Sequence, residues 1–548
     1  MSSSSATAST SSPSSLADEV VKNRWLGFLI WQSIVSAAVH IPASLLLRQF
    51  SGPSSSSSSA AALLFSFLAF HLSLLLLSLA FFLLSSPHPD PAASLPDLAA
   101  AALRVSLKSL VGGFSRPSFT AVFARRARRA VASAVFLLIC GVAGFLSAVA
   151  ICRDEKSIVG VAFRGLVFGL VYGLHYVSRK RWILQFPIIQ RPLFYSFKIG
   201  LSSSLKRAMK LSVQAYVCSS ILVLFMPDQF KSKTTTRKFI VQQLNFYLGL
   251  LTVSICWELS HHLVQIVHTR RCIFAPPQGS AAAGTNPSET LLETLEESNQ
   301  RSLVQYLAYL DLCIVSEGNS EPWRRAAFFE ETGETYRRVT NVCLKPIEQL
   351  TSRLAEGLEG LTMGESDFLS KQLNSPAHIQ MDSRIHEALN DFQICSWCAR
   401  ALGALTARSK LEDRCGVAQL TGCNKAVVST LLSCLLAVEA CLGKKTSAQP
   451  THMLGPASIR WAKMNPGKRD VSPMTSKRRS AILHAKAYAM ADVLRTSVYQ
   501  VVSSFQLDMH ANAKPSVLEN WIVEGKPLYS TREILMEKLC IFLCYSAV

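Results

Sequence analysis

The chain has 548 residues, of which 49% are hydrophobic and only 17% charged, and its mean hydropathy is +0.26. Soluble chains carry about a quarter charged residues, so part of this one is built to lie out of water, and the collagenous, disordered and small disulfide-scaffold classes are excluded. The net charge of +20 is uneven: residues 1–275 hold 27 Lys and Arg against 8 Asp and Glu, whereas residues 276–548 hold 29 against 28.

A nucleic-acid-binding domain carries its basic stripe on a folded polar surface. Here the cations of the first half lie between long apolar runs, the pattern of a polytopic membrane protein. No direct nucleic-acid binding is expected. The fifteen cysteines are scattered, several inside apolar runs, which reads as free buried thiols and not as a disulfide framework.

Residues 1–23 form a Ser-rich N-terminus, read as disordered, and residues 24–257 a six-span transmembrane domain. The spans are Trp25–Leu47, Ala60–Leu84, Ala130–Ile151, Ile158–Val177, Leu211–Met226 and Phe239–Trp257, judged against the roughly 20 residues that cross a bilayer as a helix. The first is too long for a cleavable signal peptide and is read as a signal anchor. The fifth is short at 16 residues, and the sixth carries Gln242, Gln243 and Asn245.

Alternating the connections between two sides puts 19 Lys and Arg on one side and 7 on the other. The positive-inside rule then places both termini in the cytoplasm. The connections left on the far side, 48–59, 152–157 and 227–238, are short and contain no N-x-S/T acceptor. A luminal enzyme has nowhere to reside.

Within the spans, Gly165, Gly169 and Gly173 share one helix face, where another backbone can approach closely. The neighbour is either another span of the same chain or a partner helix. Arg164 lies near the end of its span and reads as a headgroup anchor. His40, His71 and His175 have no carboxylate partner within the spans, which argues against a proton relay. Arg125, Arg126, Arg128 and Arg129 abut the third span as a membrane-surface cluster that also fixes topology. From Phe194 to Lys210, Phe194, Phe197, Leu201, Leu205 and Ala208 recur at helical spacing, with Lys206, Arg207 and Lys210 opposite. That pattern fits a helix in the interface or an extension of the short fifth span.

Residues 258–287 read as a helix extension and linker. Glu258 and His261 have the spacing of a metal pair, but the helix face offers too few ligands, and no metal is expected. Residues 288–548 read as a mostly helical cytosolic docking domain with a mobile loop near 450–479. Leu303, Tyr306, Leu307, Leu310 and Ile314 make an apolar stripe, and the best helical run is Ile482 to Leu507. Cys395-x-x-Cys398 lacks a zinc-ribbon context. No nucleotide-binding loop, nucleophile elbow or zinc-protease motif occurs, so no catalytic residue, cofactor or metal is assigned. The fold class is all-α: a polytopic membrane protein with about six transmembrane helices followed by a mostly helical cytosolic domain.

Three stretches carry a resemblance. They are Gln185 to Lys198, Leu307 to Leu312 with Trp323 to Phe329, and Leu494 to Phe505. Together with the six spans they resemble the transmembrane nucleoporins of the nuclear division cycle protein one family. The resemblance implies a scaffold at the nuclear envelope, in the pore membrane, that anchors the nuclear pore complex and helps assemble it. It implies as partners the lipid bilayer, an ALADIN-type WD-repeat protein, an RRM-type membrane-binding nucleoporin and other pore-membrane proteins. Asp311, Trp323, Arg324 and Arg325 are its partner-docking candidates. The rival reading is a polytopic endoplasmic-reticulum enzyme or transporter that uses His261 or His262 at the interface.

Overall fold

The computed structural model describes residues 13–51, 60–89, 121–152, 158–187, 189–225, 236–276, 278–298, 301–362, 385, 387–446, 474–510 and 519–546. Most of the N-terminal Ser-rich segment, the basic connection 90–120 and the expected mobile loop up to residue 473 lie outside the described residues. Those that are described are overwhelmingly helical and contain no strand beyond one isolated parallel bridge between Ser86 and Ile183. Contacts divide the chain into two compact units, one of Ser15–Arg271 with Arg301–Leu303, the other built mainly of Cys272–Gln300 and Val304–Val548.

Among the described residues the first unit has six helices: α1 Pro13–Ser51, α2 Ala60–Leu84, α3 Ala121–Ile151, α4 Ile158–Ser178, α5 Leu193–Leu224 and α6 Thr236–Thr269. Its polarity is inverted relative to a water-soluble bundle. Along α2, Leu64, Leu68, Leu72, Leu75, Leu79 and Phe82 are exposed at three- and four-residue steps, as are Val131, Val135, Leu138, Val142 and Phe145 along α3. Inside, small polar groups bridge helices. Gln32 Nε2 donates to Ser260 Oγ at 2.9 Å, Ser78 Oγ donates to Gln32 Oε1 at 2.6 Å, and Ser73 and Ser147 hydroxyls lie 2.6 Å apart. A continuous apolar exterior of this extent is tolerable only against lipid, where interhelical hydrogen bonds and close packing replace the missing hydrophobic drive.

Helix direction follows from contacts at the two ends. At one end, Arg24 near the start of α1 donates to the carbonyls of Val267 and Arg270, each at 2.6 Å, around the last turn of α6. Arg129 in the first part of α3 donates to Leu84 O at the end of α2 at 2.7 Å and lies 4.2 Å over the ring of Trp182, which follows α4. Gln190, before α5, donates to Thr269 O. At the other end, Ser66 Oγ of α2 donates to Ala150 O of α3, Arg164 Nη2 of α4 donates to Ser220 Oγ of α5 at 2.8 Å, and Tyr216 OH of α5 donates to Gln243 Oε1 of α6 at 3.2 Å. The six helices therefore run alternately up and down, and the start of α1 and the end of α6 share one end.

One open reading is decided here and one expectation changes. Residues 194–210 run on into the fifth span as one unbroken helix of 32 residues, Leu193–Leu224, so of the two readings the extension of the span holds and the separate interfacial helix is not formed. Its inward face is Ser204, Ala208, Leu211, Ser212, Ala215 and Ser219, while Phe194 is 71% exposed. Arg164 does not reach out to headgroups. It is buried among α4, α5 and α6, 4.4 Å from the Phe246 ring centroid. By length and composition alone six helices among the described residues qualify as spans, and they include Cys423–Gly443 of the second unit but omit α5. The cations at 206, 207 and 210 exclude α5 from such a criterion, yet it packs against both α4 and α6.

The second unit contains α7 Leu303–Glu317, α8 Glu334–Thr362, α9 Phe392–Glu412, α10 Cys423–Thr446, α11 Met474–Ser504 and α12 Arg532–Ser546, with short helices between them. α10 is apolar because it is central: it packs on α8, α9, α11 and α12, and Val427, Leu431, Leu432, Leu435 and Val438 are buried in that core. α9 and α11 meet where Gly403 faces Ser497. A Cβ on Gly403 would lie 2.8 Å from Ser497 Cβ, which is why a glycine stands there.

Candidate functional site

The glycine stripe of α4 faces α3. A Cβ on Gly169 would land on the carbonyl oxygen of Cys140 and 2.9 Å from Gly141 Cα. On Gly165 it would meet Ala148 Cβ and stand 2.6 Å from Gly144 O, and on Gly173 it would be 2.9 Å from Leu137 Cδ2. Gly144 reciprocates toward Gly165 and Gly169. The two backbones are in direct contact along the stripe, inside one chain.

The cationic residues sit at the end where α1 starts and α6 stops. Arg125 and Arg128 are exposed, Arg126 is half-buried, and Arg129 is drawn inward onto Leu84 O and Trp182. Lys206, Arg207 and Lys210 lie on the exposed side of α5. Arg207 Nε also stands 3.6 Å from Glu258 Oε2. Glu258 is wholly buried and receives both arms of Arg181, at 2.6 and 2.7 Å. This bidentate pair joins the segment after α4 to the middle of α6. Sequence reading missed it because the partners are 77 residues apart. The signal that could have found it is Glu258 itself, a carboxylate that directly follows the apolar run ending at Trp257.

The two histidines considered for interfacial chemistry have packing environments. His261 is buried between the rings of Phe81 and Tyr176, at 5.9 and 5.2 Å. His262 lies directly against Gly200 and pairs its Nε2 with Phe197 O at 3.2 Å. Among the described residues no three His, Cys, Asp or Glu side chains converge as a metal site.

In the second unit, three of the four docking candidates turn inward. Arg324 Nη2 donates to Asp311 Oδ2 at 2.7 Å and to Phe274 O at 3.3 Å, and Asp311 Oδ2 accepts from the backbone N–H of Phe274 at 3.0 Å. Arg324 also pairs with Glu321 at 2.7 Å. Asp311 and Arg324 thus clamp the buried Phe274, almost the first residue of the unit, onto α7. Arg325 donates through Nε and Nη2 to the two carboxylate oxygens of Glu412, at 2.7 Å each, and through Nη1 to Gly318 O, tying the start of this subdomain to the end of α9. Burial works against the charge of Glu412, but hydrogen bonds and charge from Arg325 and Arg408 outweigh it and hold the carboxyl below its usual range. Trp323 is the half-buried member of the four. Leu411, next to Glu412, is 87% exposed.

Residues 150–376 match the family model described as Nucleoporin protein Ndc1-Nup. Over that segment the chain is similar to the Ndc1 nucleoporins. The matched segment takes in α4, α5 and α6 of the first unit and α7 and α8 of the second, with the Arg181–Glu258 pair and the Asp311–Arg324 clamp inside it. No curated protein sequence matches the chain.

Proposed function

We propose that the chain is a transmembrane nucleoporin that anchors the nuclear pore complex in the pore membrane through residues 15–271 and supports its assembly by docking soluble nucleoporins on residues 272–548. The observation that carries the reading is the contrast between the units. One exposes leucine and phenylalanine stripes over a serine-bridged interior. The other buries most of its apolar residues, those of α10 included, and carries charge at the surface in pairs such as Arg338 with Glu289 and Glu296 and Glu439 with Arg495 and Lys538. Such a surface suits water and protein partners.

The docking role falls on Trp323 and its surroundings, because Asp311, Arg324 and Arg325 are engaged internally. Trp323 and the exposed Leu411 flank the Arg325–Glu412 pair in sequence and offer the apolar anchors that interface hot spots favour. Partners of this surface are an ALADIN-type WD-repeat protein and an RRM-type membrane-binding nucleoporin, with both termini on the cytosolic or pore side. Full-length protein tagged at its C-terminus should crosslink to pore proteins in nuclear envelopes. Trp323→Ala with Leu411→Asp should lose soluble partners while the chain stays in the envelope. A neighbourhood of lipid-synthetic enzymes in the wild-type crosslinks would instead favour a reticulum enzyme.

A further inference from the structure

A cleft of about 430 Å³ opens between the segment before α5, the first turns of α5 and the last turns of α6. Its walls are built before any ligand arrives. Gln190 donates to Thr269 O and accepts from the backbone N–H of Arg271. Gln265 donates to Ile183 O at 3.2 Å and accepts from the N–H of Gln185 at 3.1 Å. These amides fix Ile183, Gln185 and Gln190 against the last turns of α6 and the residues just after it. One side of the lining is apolar, with Ile189 and Ile199, and the other carries Arg191 and Arg270.

The charge in this cleft is unbalanced. No Asp or Glu lines it, both arginines are exposed, and no carboxylate among the described residues pairs with either. The apolar side continues outward: Phe194, Tyr195 and Ile199 are 71, 59 and 60% exposed. The cleft therefore lies at the cationic end of the bundle, at the border between an apolar exterior and the connecting segments. A ligand that matches it has an anionic head for two guanidinium groups and an apolar body that continues along α5.

We propose that this cleft holds the headgroup phosphate of an anionic phospholipid, with Arg191 and Arg270 on the phosphate and the acyl chains along the exposed face of α5. Arginine suits the task, since its planar fork donates two hydrogen bonds to one phosphate. The exposed cluster at Arg125 to Arg128 attracts anionic lipid diffusely, whereas a walled cleft retains an individual molecule. The inference rests on the reading that the six-helix unit spans the membrane, and the test separates the two.

Full-length protein would be reconstituted in phosphatidylcholine nanodiscs, with and without phosphatidylinositol 4-phosphate, and bound lipid counted by native mass spectrometry. A photoreactive analogue of the same lipid would map the contact. The wild type is expected to retain the anionic lipid and to crosslink within 185–199 and 262–270. Arg191→Gln with Arg270→Gln should reduce retention roughly tenfold or more, as expected for losing two charge-assisted contacts. Arg191→Lys with Arg270→Lys should keep part of it. Arg125→Gln with Arg128→Gln should leave the crosslinked site unchanged. Retention unaltered in the double Gln variant, or crosslinks mapping elsewhere, would overturn the proposal. Displacement by inorganic phosphate as effective as by lipid would overturn it too, assigning the cleft to a free anion. Carbonate extraction of cellular membranes reads the membrane assignment independently: release of the wild type would sink both readings, and its retention alongside unaltered binding by the double Gln variant sinks only this one.

Discussion

Asp311 shows how much a single side chain carries in the second unit. Its carboxylate is fully buried and serves Arg324 and the N–H of Phe274 at once. Removing one partner of a buried pair leaves the other charge uncompensated, at about 3–5 kcal/mol. Asp311→Ala should therefore lower the stability of residues 272–548 by that order in urea denaturation. Arg338→Ala, which breaks half-exposed pairs with Glu289 and Glu296, should cost no more than about 1 kcal/mol. Equal effects would refute the clamp. Glu412 gives a pH-dependent counterpart. Its carboxyl is depressed in the folded unit relative to an unfolded value of about 4.3. Its contribution is thus complete above the unfolded value and is lost as pH falls through the lower folded one. Denaturation midpoints followed from neutral to acid pH should decline less steeply in Glu412→Gln than in wild type; parallel curves would show that the Arg325 pair is not linked to folding. None of this was legible in the sequence, where Arg324 and Arg325 beside Trp323 look like a surface patch. The partners that bury them, Asp311 and Glu412, lie 13 and 87 residues away.

Among the elements, the ease of reading varied with what each helix meets. α2, α3 and α4 declare themselves through long apolar runs, because lipid contacts one side and other helices the rest. α5 does not. Its cations interrupt the run, and its packing surface is Ser204, Ala208, Ser212, Ala215 and Ser219 at three- and four-residue intervals, a small-residue face whose hydropathy is low but whose fit between helices is close. α10 has the composition of a span too, yet its apolar residues are buried among other helices of its own unit. The α3–α4 contact tests the element scale directly. Gly169→Leu would drive a side chain into the backbone of Cys140 and Gly141, and overpacking of this kind costs about 1–3 kcal/mol. The expected outcome is reduced abundance and a lower unfolding temperature for the detergent-purified protein. Leu174→Phe, at a residue 63% exposed on the same helix, should behave as wild type. If the two variants were indistinguishable, the glycine stripe would have no packing role.

For the molecule as a whole, α5 decides the topology. Counting spans by hydropathy gives five among the described residues of the first unit, which would put the two ends of the bundle's chain on opposite sides of the membrane. The contacts of Arg24 with the last turn of α6 require an even number of crossings. The same end carries Arg125, Arg126, Arg128, Lys206, Arg207 and Lys210, and cation-rich connections stay in the cytoplasm. These two arguments are independent, one geometric and one electrostatic, and they agree only if α5 crosses. A glycosylation acceptor engineered into residues 227–238, between α5 and α6, should then be modified by the luminal machinery. One engineered into residues 90–120, between α2 and α3, or added after residue 548 should remain unmodified. Were α5 to lie in the interface instead, the acceptor at 227–238 would stay bare and the one after residue 548 would acquire the glycan, placing the docking unit in the lumen, away from soluble nucleoporins. The shift on a denaturing gel, with and without endoglycosidase, reads both outcomes in one experiment.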